Sequence, residues 1–355
     1  MNHSMNQATN HLVNHLDYLL RPATLDDLDT IERFSKASTF GIHTLKPGRA
    51  RLAERLERSH KAFAGTDSFH GDEIYHFVLE DLNAGRIVGT SGIVTSAGSN
   101  GRFYCYRNEF SVHASEELGI SNREHTLRLC EDLSGHTLLS SFYIEPEYSA
   151  TLAPQLLSRG RLLFIRNFPH LFAERIAAEN PGLCDELGNS PFWNALGGRF
   201  LKMPFPEAEQ RTGGRSKSFI AELMPRSPIY VSLLAEDAQW AMGQLHPDGE
   251  LPFGILVSEG FDVDSFVDIF DGGPIAEARV AMLKSVVSAL DVTLKASPDL
   301  EQDPYLVANM DRSGFRATLT RASVVDNTLQ LTPSAIERLG LKLGSSACAV
   351  NVSDT

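Results

Sequence analysis

The chain has 355 residues, is 42% hydrophobic and 22% charged, and carries a formal net charge of −13. That is ordinary globular composition, with length for two or three domains, or one large fold with an appendage, and apolar residues enough for a core. No basic stripe offers itself to nucleic acid, and no apolar run approaches the roughly 20 residues of a membrane span.

Residues 1–17 contain no Lys or Arg and are rich in Asn and His, so they lack the charged head of a secretory signal. They read as a disordered extension, with His3, His11 and His15 part of a polar tail. A cytoplasmic protein is expected. Cys105, Cys130, Cys184 and Cys348 show no C-x-x-C spacing, which predicts free thiols and no metal site.

Ordered structure is expected from Leu19, with a short strand to Ala23. Thr24 is a good cap for a helix that puts Leu25, Leu28 and Ile31 on one face. A second amphipathic helix spans Pro47 to Phe63, with Leu52, Leu56 and Phe63 inward and Arg51, Glu54, Arg55, Glu57 and Arg58 in water. The period then changes to that of strands: Ile74–Asp81, Arg86–Thr95, about Phe103–His113, and Leu138–Ile144. The last is apolar and aromatic, apt for a sheet centre. A helix over Pro154–Phe168 directs Leu156, Leu157, Leu163 and Phe164 one way and Arg159, Arg161 and Arg166 the other. A strand at Glu174–Glu179 and a short helix at Pro191–Leu196, capped by Ser190, follow.

This order predicts an α/β sandwich with a mixed sheet. Pro191-Phe192 to Phe200 and Pro252-Phe253 to Phe261 echo each other, which hints at two related halves. After Leu290 the texture is of short β pieces around one helix, Leu331–Leu341, capped by Thr332 and stopped by Gly340. A small β-rich appendage is expected there.

Two features between Phe219 and Pro274 suit chemistry. His246 sits in the turn Gly243-Gln-Leu-His-Pro247, and Asp268 and Asp271 flank a glycine-rich turn closing on Pro274. Imidazole titrates near neutrality and can move protons; equally, a lone histidine can cap a turn. The two carboxylates could pair with a guanidinium, or cap their own backbone. On the residues alone both pairs of readings stand.

A string of motifs in fixed order adds a resemblance. Ser134-Gly-His-Thr-Leu-Leu-Ser-Ser-Phe-Tyr-Ile-Glu-Pro146, Ser190-Pro-Phe-Trp-Asn-Ala-Leu-Gly197, Ala221-Glu-Leu-Met-Pro225, Pro228-Ile-Tyr230, the His246 turn and Asp268-Ile-Phe-Asp-Gly-Gly-Pro274 together resemble the arginine N-succinyltransferase family. Val112–Ser115 and Glu145–Phe164 are similar to its alpha subunits.

The resemblance implies an α/β (α+β) fold of the GNAT acyltransferase type. The expected layout is a first GNAT-like half at 18–200, a second with the His-Pro motif at 201–288, and a β-rich C-terminal subdomain at 289–355. It implies transfer of a succinyl group from succinyl-CoA to the α-amine of L-arginine, and by extension ornithine, as the entry step of arginine catabolism. No tightly bound cofactor is implied; succinyl-CoA is a co-substrate. His246 becomes the proton donor and Phe142 a succinyl-CoA contact. Ser141 and Tyr143, its neighbours on the strand, are further substrate- or cofactor-binding candidates. A homologous beta subunit, or a second copy of the chain, is the implied partner.

One segment departs from the pattern. GNAT enzymes hold the CoA pyrophosphate on bare N–H groups of a glycine-rich loop at a helix N-terminus. The corresponding Tyr148–Gln155 has no glycine and no arginine, and Pro154 removes one N–H. Two further readings therefore accompany a competent enzyme: a non-catalytic partner of a beta subunit, or another GNAT-type amine acyltransferase.

Overall fold

The computed structural model describes residues 16–37, 45, 48–65, 71–98, 101–212, 221–297 and 303–355. The histidines expected in the tail lie outside them. The described residues form a mixed α/β fold on one continuous sheet of sixteen strands. The first seven strands are β1 (Tyr18–Pro22), β2 (Ile74–Asp81), β3 (Arg86–Val94), β4 (Cys105–Ser115), β5 (Ile120–Cys130), β6 (Thr137–Ile144) and β7 (Arg175–Glu179). Then come β8 (Ile229–Tyr230), β9 (Asp262–Val267), β10 (Pro274–Arg279), β11 (Leu290–Ala296) and β12 (Pro304–Ala308). The last four are β13 (Ala317–Arg321), β14 (Ser323–Val325), β15 (Thr328–Leu331) and β16 (Ser346–Asn351). Their spatial order is β14, β15, β11, β16, β12, β13, β1, β2, β3, β6, β7, β10, β9, β4, β5, β8.

Three helices cover the middle. α1 (Leu28–Ala37) and α2 (Arg49–Ala64) bury Ile31, Phe34, Leu52 and Leu56 against Val78 of β2. Alternation along β2 sends Tyr75, Phe77 and Leu79 into the main core, where α3 (Ala153–Asn167) brings Leu156, Leu163 and Phe164. Phe164 packs edge-on to Phe63, Phe77 and Phe315 at 4.9–5.5 Å between ring centres. Asp27 accepts bonds from the N–H and hydroxyl of Thr24, which ties down the chain ahead of α1.

α3 corrects an expectation. Arg159 and Arg161 do not face water; both are buried, and only Arg166 is partly exposed. Gly160 explains the fit: a Cβ there would stand 2.3 Å from Leu20 of β1, so the helix lies flush on the sheet. Burial of Arg159 is balanced by Glu259, 2.6 Å away on α4 (Glu250–Glu259). Arg55 is likewise turned inward, with only part of its surface in solvent.

The two ten-residue echoes fall on unlike structure. Phe200 lies in a helix and another helix follows it, whereas Phe261 leads into β9. Strands β5, β8, β10, β11 and β14 were not foreseen. β4 and β5 form a long hairpin whose tip exposes Val112 and Ile120, so its two faces lack the apolar alternation that marks a half-buried strand.

Candidate active site

The site begins where two parallel strands part. β6 pairs with β7 only at Thr137–Ile176, Leu138–Ala177 and Leu139–Ala178. Beyond that the strands separate. Ser140, Ser141 and Phe142 form one wall of the resulting cleft, and Glu179, Asn180 and Pro181 the other. Arg161 reaches it from α3, and Asp248, Gly249 and Pro252 close it from the turn before α4 and its first residues. The open space is about 620 Å³, its mouth included.

β6 is also bulged here. Against β3 it pairs Tyr143 with Thr90 and Ser140 with Gly92, so three steps on β6 oppose two on β3. The added residue falls at Ser141–Phe142, and Ser141 has φ +55°, in the left-handed region. For a serine this costs on the order of 1–2 kcal/mol. What holds it is Arg55, whose NH2 group donates to the hydroxyls of both Ser140 and Ser141 at 3.0 Å. Its Nε donates to Nδ1 of buried His76 at 3.2 Å. His76 then shares a 2.8 Å bond with the Thr90 hydroxyl. Burial, with the Arg55 charge beside it, pushes the His76 imidazole well below its usual range.

Two guanidiniums therefore reach the bulge: Arg55 from α2, and Arg161 from α3. Among the described residues neither has a carboxylate at ion-pair distance, in contrast to Arg159. Desolvation pulls Arg55 down to about 10 and Arg161 to about 9. Both remain charged at neutral pH.

His246 stands just behind the cleft wall. It precedes the 3₁₀ turn Pro247–Gly249, and its Nδ1 accepts the N–H of Asp248 at 3.3 Å. The neutral ring thus carries its proton on Nε2. The Asp248 carboxylate lies 3.7 Å from Nδ1. His246 is not itself a lining residue; Asp248 and Gly249, two and three residues on, are.

The Asp268–Pro274 turn does not face the cleft as a guanidinium clamp. Both aspartates are buried, and their carboxylates hold backbone. Asp268 accepts from the N–H of Phe270, and Asp271 from those of Gly273 and Gly182, at 2.7–2.9 Å. Side chains at Gly182 or Gly273 would collide, with Cβ positions 2.6 and 2.2 Å from neighbouring backbone. This turn clasps Gly182, which bridges to Leu245, while the His246 N–H donates to the Pro181 carbonyl at 2.9 Å. Its work is to hold the His246 turn beside Asn180 and Pro181.

The helix end expected to receive a pyrophosphate is already occupied. Thr151 Oγ1 takes the Ala153 N–H at 3.1 Å, Pro154 has none, and the Gln155 N–H returns to the Leu152 carbonyl at 3.1 Å.

Comparison with known proteins now adds to this geometry. The family model "Arginine N-succinyltransferase beta subunit" matches residues 18–285, and that family's C-terminal domain matches 290–351. This chain belongs to the arginine N-succinyltransferase family. Arginine N-succinyltransferase subunit alpha of Pseudomonas aeruginosa is 42% identical over 94% of this chain and 99% of its own length. Subunit beta of the same organism is 39% identical over 94% of this chain and 98% of its own length. A solved structure of arginine/ornithine succinyltransferase subunit AI from Pseudomonas aeruginosa superposes with a TM-score of 0.87 at 39% identity, covering 95% of this chain and 99% of that one.

Of the residues singled out from sequence, Ser141 and Phe142 line the cleft and His246 adjoins it. Tyr143 turns to the α1 side, its ring centre 4.8 Å from that of Phe34. Arg55 and Arg161 were missed as site residues, because amphipathic spacing had assigned both to solvent. The signal that could have found Arg161 is Gly160 beside it, which lets the helix approach closely enough to bury its neighbours. Among the described residues no group of three His, Cys, Asp or Glu is arranged to hold a metal ion, and no helix is long and apolar enough to cross a membrane.

Proposed function

We propose that this chain is a cytoplasmic arginine N-succinyltransferase of alpha-subunit type, moving the succinyl group of succinyl-CoA to the α-amine of L-arginine. The observation that carries this reading is the bulged, splayed end of β6 beside a turn-held histidine. Where β6 has left β7, residues 140–142 line the cleft without pairing to that strand. A thioester lying along them finds N–H donors for its carbonyl oxygen, which gains negative charge as the amine attacks. The walls are electrically unlike, with Arg161 on one side and Glu179 and Asp248 on others, which suits an anionic acyl group facing a cationic amine.

The ammonium loses one proton, its nitrogen bonds the thioester carbon, and the C–S bond breaks. The nitrogen sheds a second proton, and the CoA thiolate takes one. His246, with its proton on Nε2, serves as the donor to that thiolate. His246→Ala should lower kcat by a factor on the order of 10² to 10⁴. An unchanged kcat in the assembled enzyme would remove His246 from the chemistry.

A second reading rests on the occupied start of α3. With few bare N–H groups for a pyrophosphate, the chain acts as a partner that completes the site of a homologous beta subunit. Calorimetric titration of the purified chain with CoA, then turnover with and without that subunit, separates the two. Binding and turnover by the chain alone, as a monomer or homodimer, rule out the partner role. Turnover on mixing only supports it.

A further inference from the structure

We propose that the Arg161 guanidinium receives the free carboxylate of the succinyl group, so that this side chain selects a dicarboxylic acyl thioester over a neutral one. The inference rests on the acyl transfer proposed above and adds the residue that chooses the donor.

Arg161 is 2% exposed yet lines the cleft. Among the described residues its hydrogen-bond partners are all neutral: Ser158 through its carbonyl at 3.2 Å and hydroxyl at 3.1 Å, and the carbonyls of Gly92 and Ser140, both at 3.4 Å. A guanidinium has five N–H donors, and the two carbonyl contacts are long, so capacity remains for an incoming acceptor. Arg159, two residues earlier and as deeply buried, has Glu259. Of the two buried arginines on this helix, one thus has a counter-ion among the described residues and one does not, and the latter is at the cleft.

Burying a charge without a counter-ion is costly, and an apolar side chain would fill the space at less expense. The charge is explained if its counter-ion arrives with the substrate. Carboxylate matches the planar fork of arginine, and bidentate pairing fixes the acyl chain in one direction. The contact with the Ser140 carbonyl sets the guanidinium next to the bulge, within reach of a short acyl chain whose thioester lies on residues 140–142. The Phe142 ring, 5.8 Å from Arg161 Cζ, offers an apolar side to the two methylenes between. Arg55 adds positive potential from the other helix layer, while Glu179 and Asp248 disfavour the carboxylate at the opposite wall.

The test compares succinyl-CoA with butyryl-CoA, a neutral donor of the same chain length, using the full chain with any subunit it needs. Wild-type kcat/KM should favour succinyl-CoA by about 10- to 10²-fold, the scale of a charge-assisted pair. Arg161→Gln should remove most of that preference by lowering succinyl-CoA turnover and leaving butyryl-CoA within a few-fold. If the glutamine variant is unstable, Arg161→Met replaces it, since an apolar chain of similar length does not ask for a counter-ion. Equal use of both donors by wild type overturns the proposal, as does an equal loss for both in the variant. Calorimetry of each donor without amine keeps the two readings apart. Selective binding without turnover would retain the carboxylate subsite and sink the transferase reading, and turnover without selectivity would do the reverse.

Discussion

From Leu290 to Asn351, the cluster formed by Val292, Leu294, Leu329, Leu331, Ile336, Leu339 and Ala349 is wholly apolar. Its helix starts on Thr332, whose hydroxyl accepts the Ala335 N–H at 3.3 Å, has Pro333 in the first turn, and stops at Gly340 with φ +67°. At the end of β6 the same sheet holds two guanidiniums with no carboxylate partner among the described residues, a histidine kept neutral by burial, and a serine in left-handed backbone. Local rules agree with one another in the first region and conflict in the second. Such conflict is tolerated where it serves a site. The C-terminal strands are built for stability and the middle of the sheet for chemistry.

The sharpest way to break that contrast is a pair of substitutions. Leu329→Ala removes a fully buried side chain and should cost about 2–5 kcal/mol, read as a drop in denaturation midpoint, with kcat/KM little changed below the transition. Arg55→Lys keeps the charge but cannot donate at once to His76, Ser140 and Ser141. With the bulge displaced, kcat/KM should fall on the order of 10²-fold with only a small loss of stability. Should Leu329→Ala cost activity and Arg55→Lys only stability, the division between the regions is wrong.

The same division explains what was legible in the sequence. Ile74–Asp81 was read with correct bounds, and the Thr332 and Ser190 caps are present as expected. In each case the local signal and the tertiary environment agree. Arg55 and Arg161 were misread because helical periodicity treats every arginine as a solvent residue. Their burial depends on which strand each helix crosses, and that is a long-range fact. The bulge was invisible for a related reason: Ser140-Ser141 looks like ordinary strand, and only pairing with Gly92 and Thr90 exposes the extra residue. At the Asp268–Gly273 turn, the backbone-capping reading has a long-range partner that no local pattern shows, the Gly182 N–H on Asp271.

A smaller effect separates the regions by pH. His76 has a depressed folded-state value, so the folded chain resists a proton that the unfolded chain accepts. Its neutral ring contributes full stability above about pH 6.5, and that contribution is lost as pH falls toward the folded value, by at most about 1.4 kcal/mol per unit. Residues 290–355 contain no histidine, so nothing of this kind comes from the C-terminal strands. Urea unfolding at pH 7.5 and 5.5 should show wild type losing more stability than His76→Gln. Parallel losses would mean that His76 is protonated without penalty and that the buried network is softer than its geometry implies.

The smallest effect compares two uses of left-handed backbone. Asp326 and Asn327 have φ +48° and +58° in the two-residue turn joining β14 to β15, the geometry that hairpin turns prefer. Glycine is at home there, so Asn327→Gly should raise stability by a few tenths of a kcal/mol and leave turnover alone. Ser141 has φ +55° inside a strand, and glycine would relieve about 1–2 kcal/mol of strain. It would also delete a hydroxyl that accepts from a charged guanidinium, a loss of about 1.5–3 kcal/mol. The second term is the larger, so Ser141→Gly should be slightly destabilised and should lose activity as Arg55 loses one of its holds on the bulge. A Ser141→Gly enzyme more stable than wild type and fully active would show that backbone alone sets the bulge, and that Arg55 is a bystander to it.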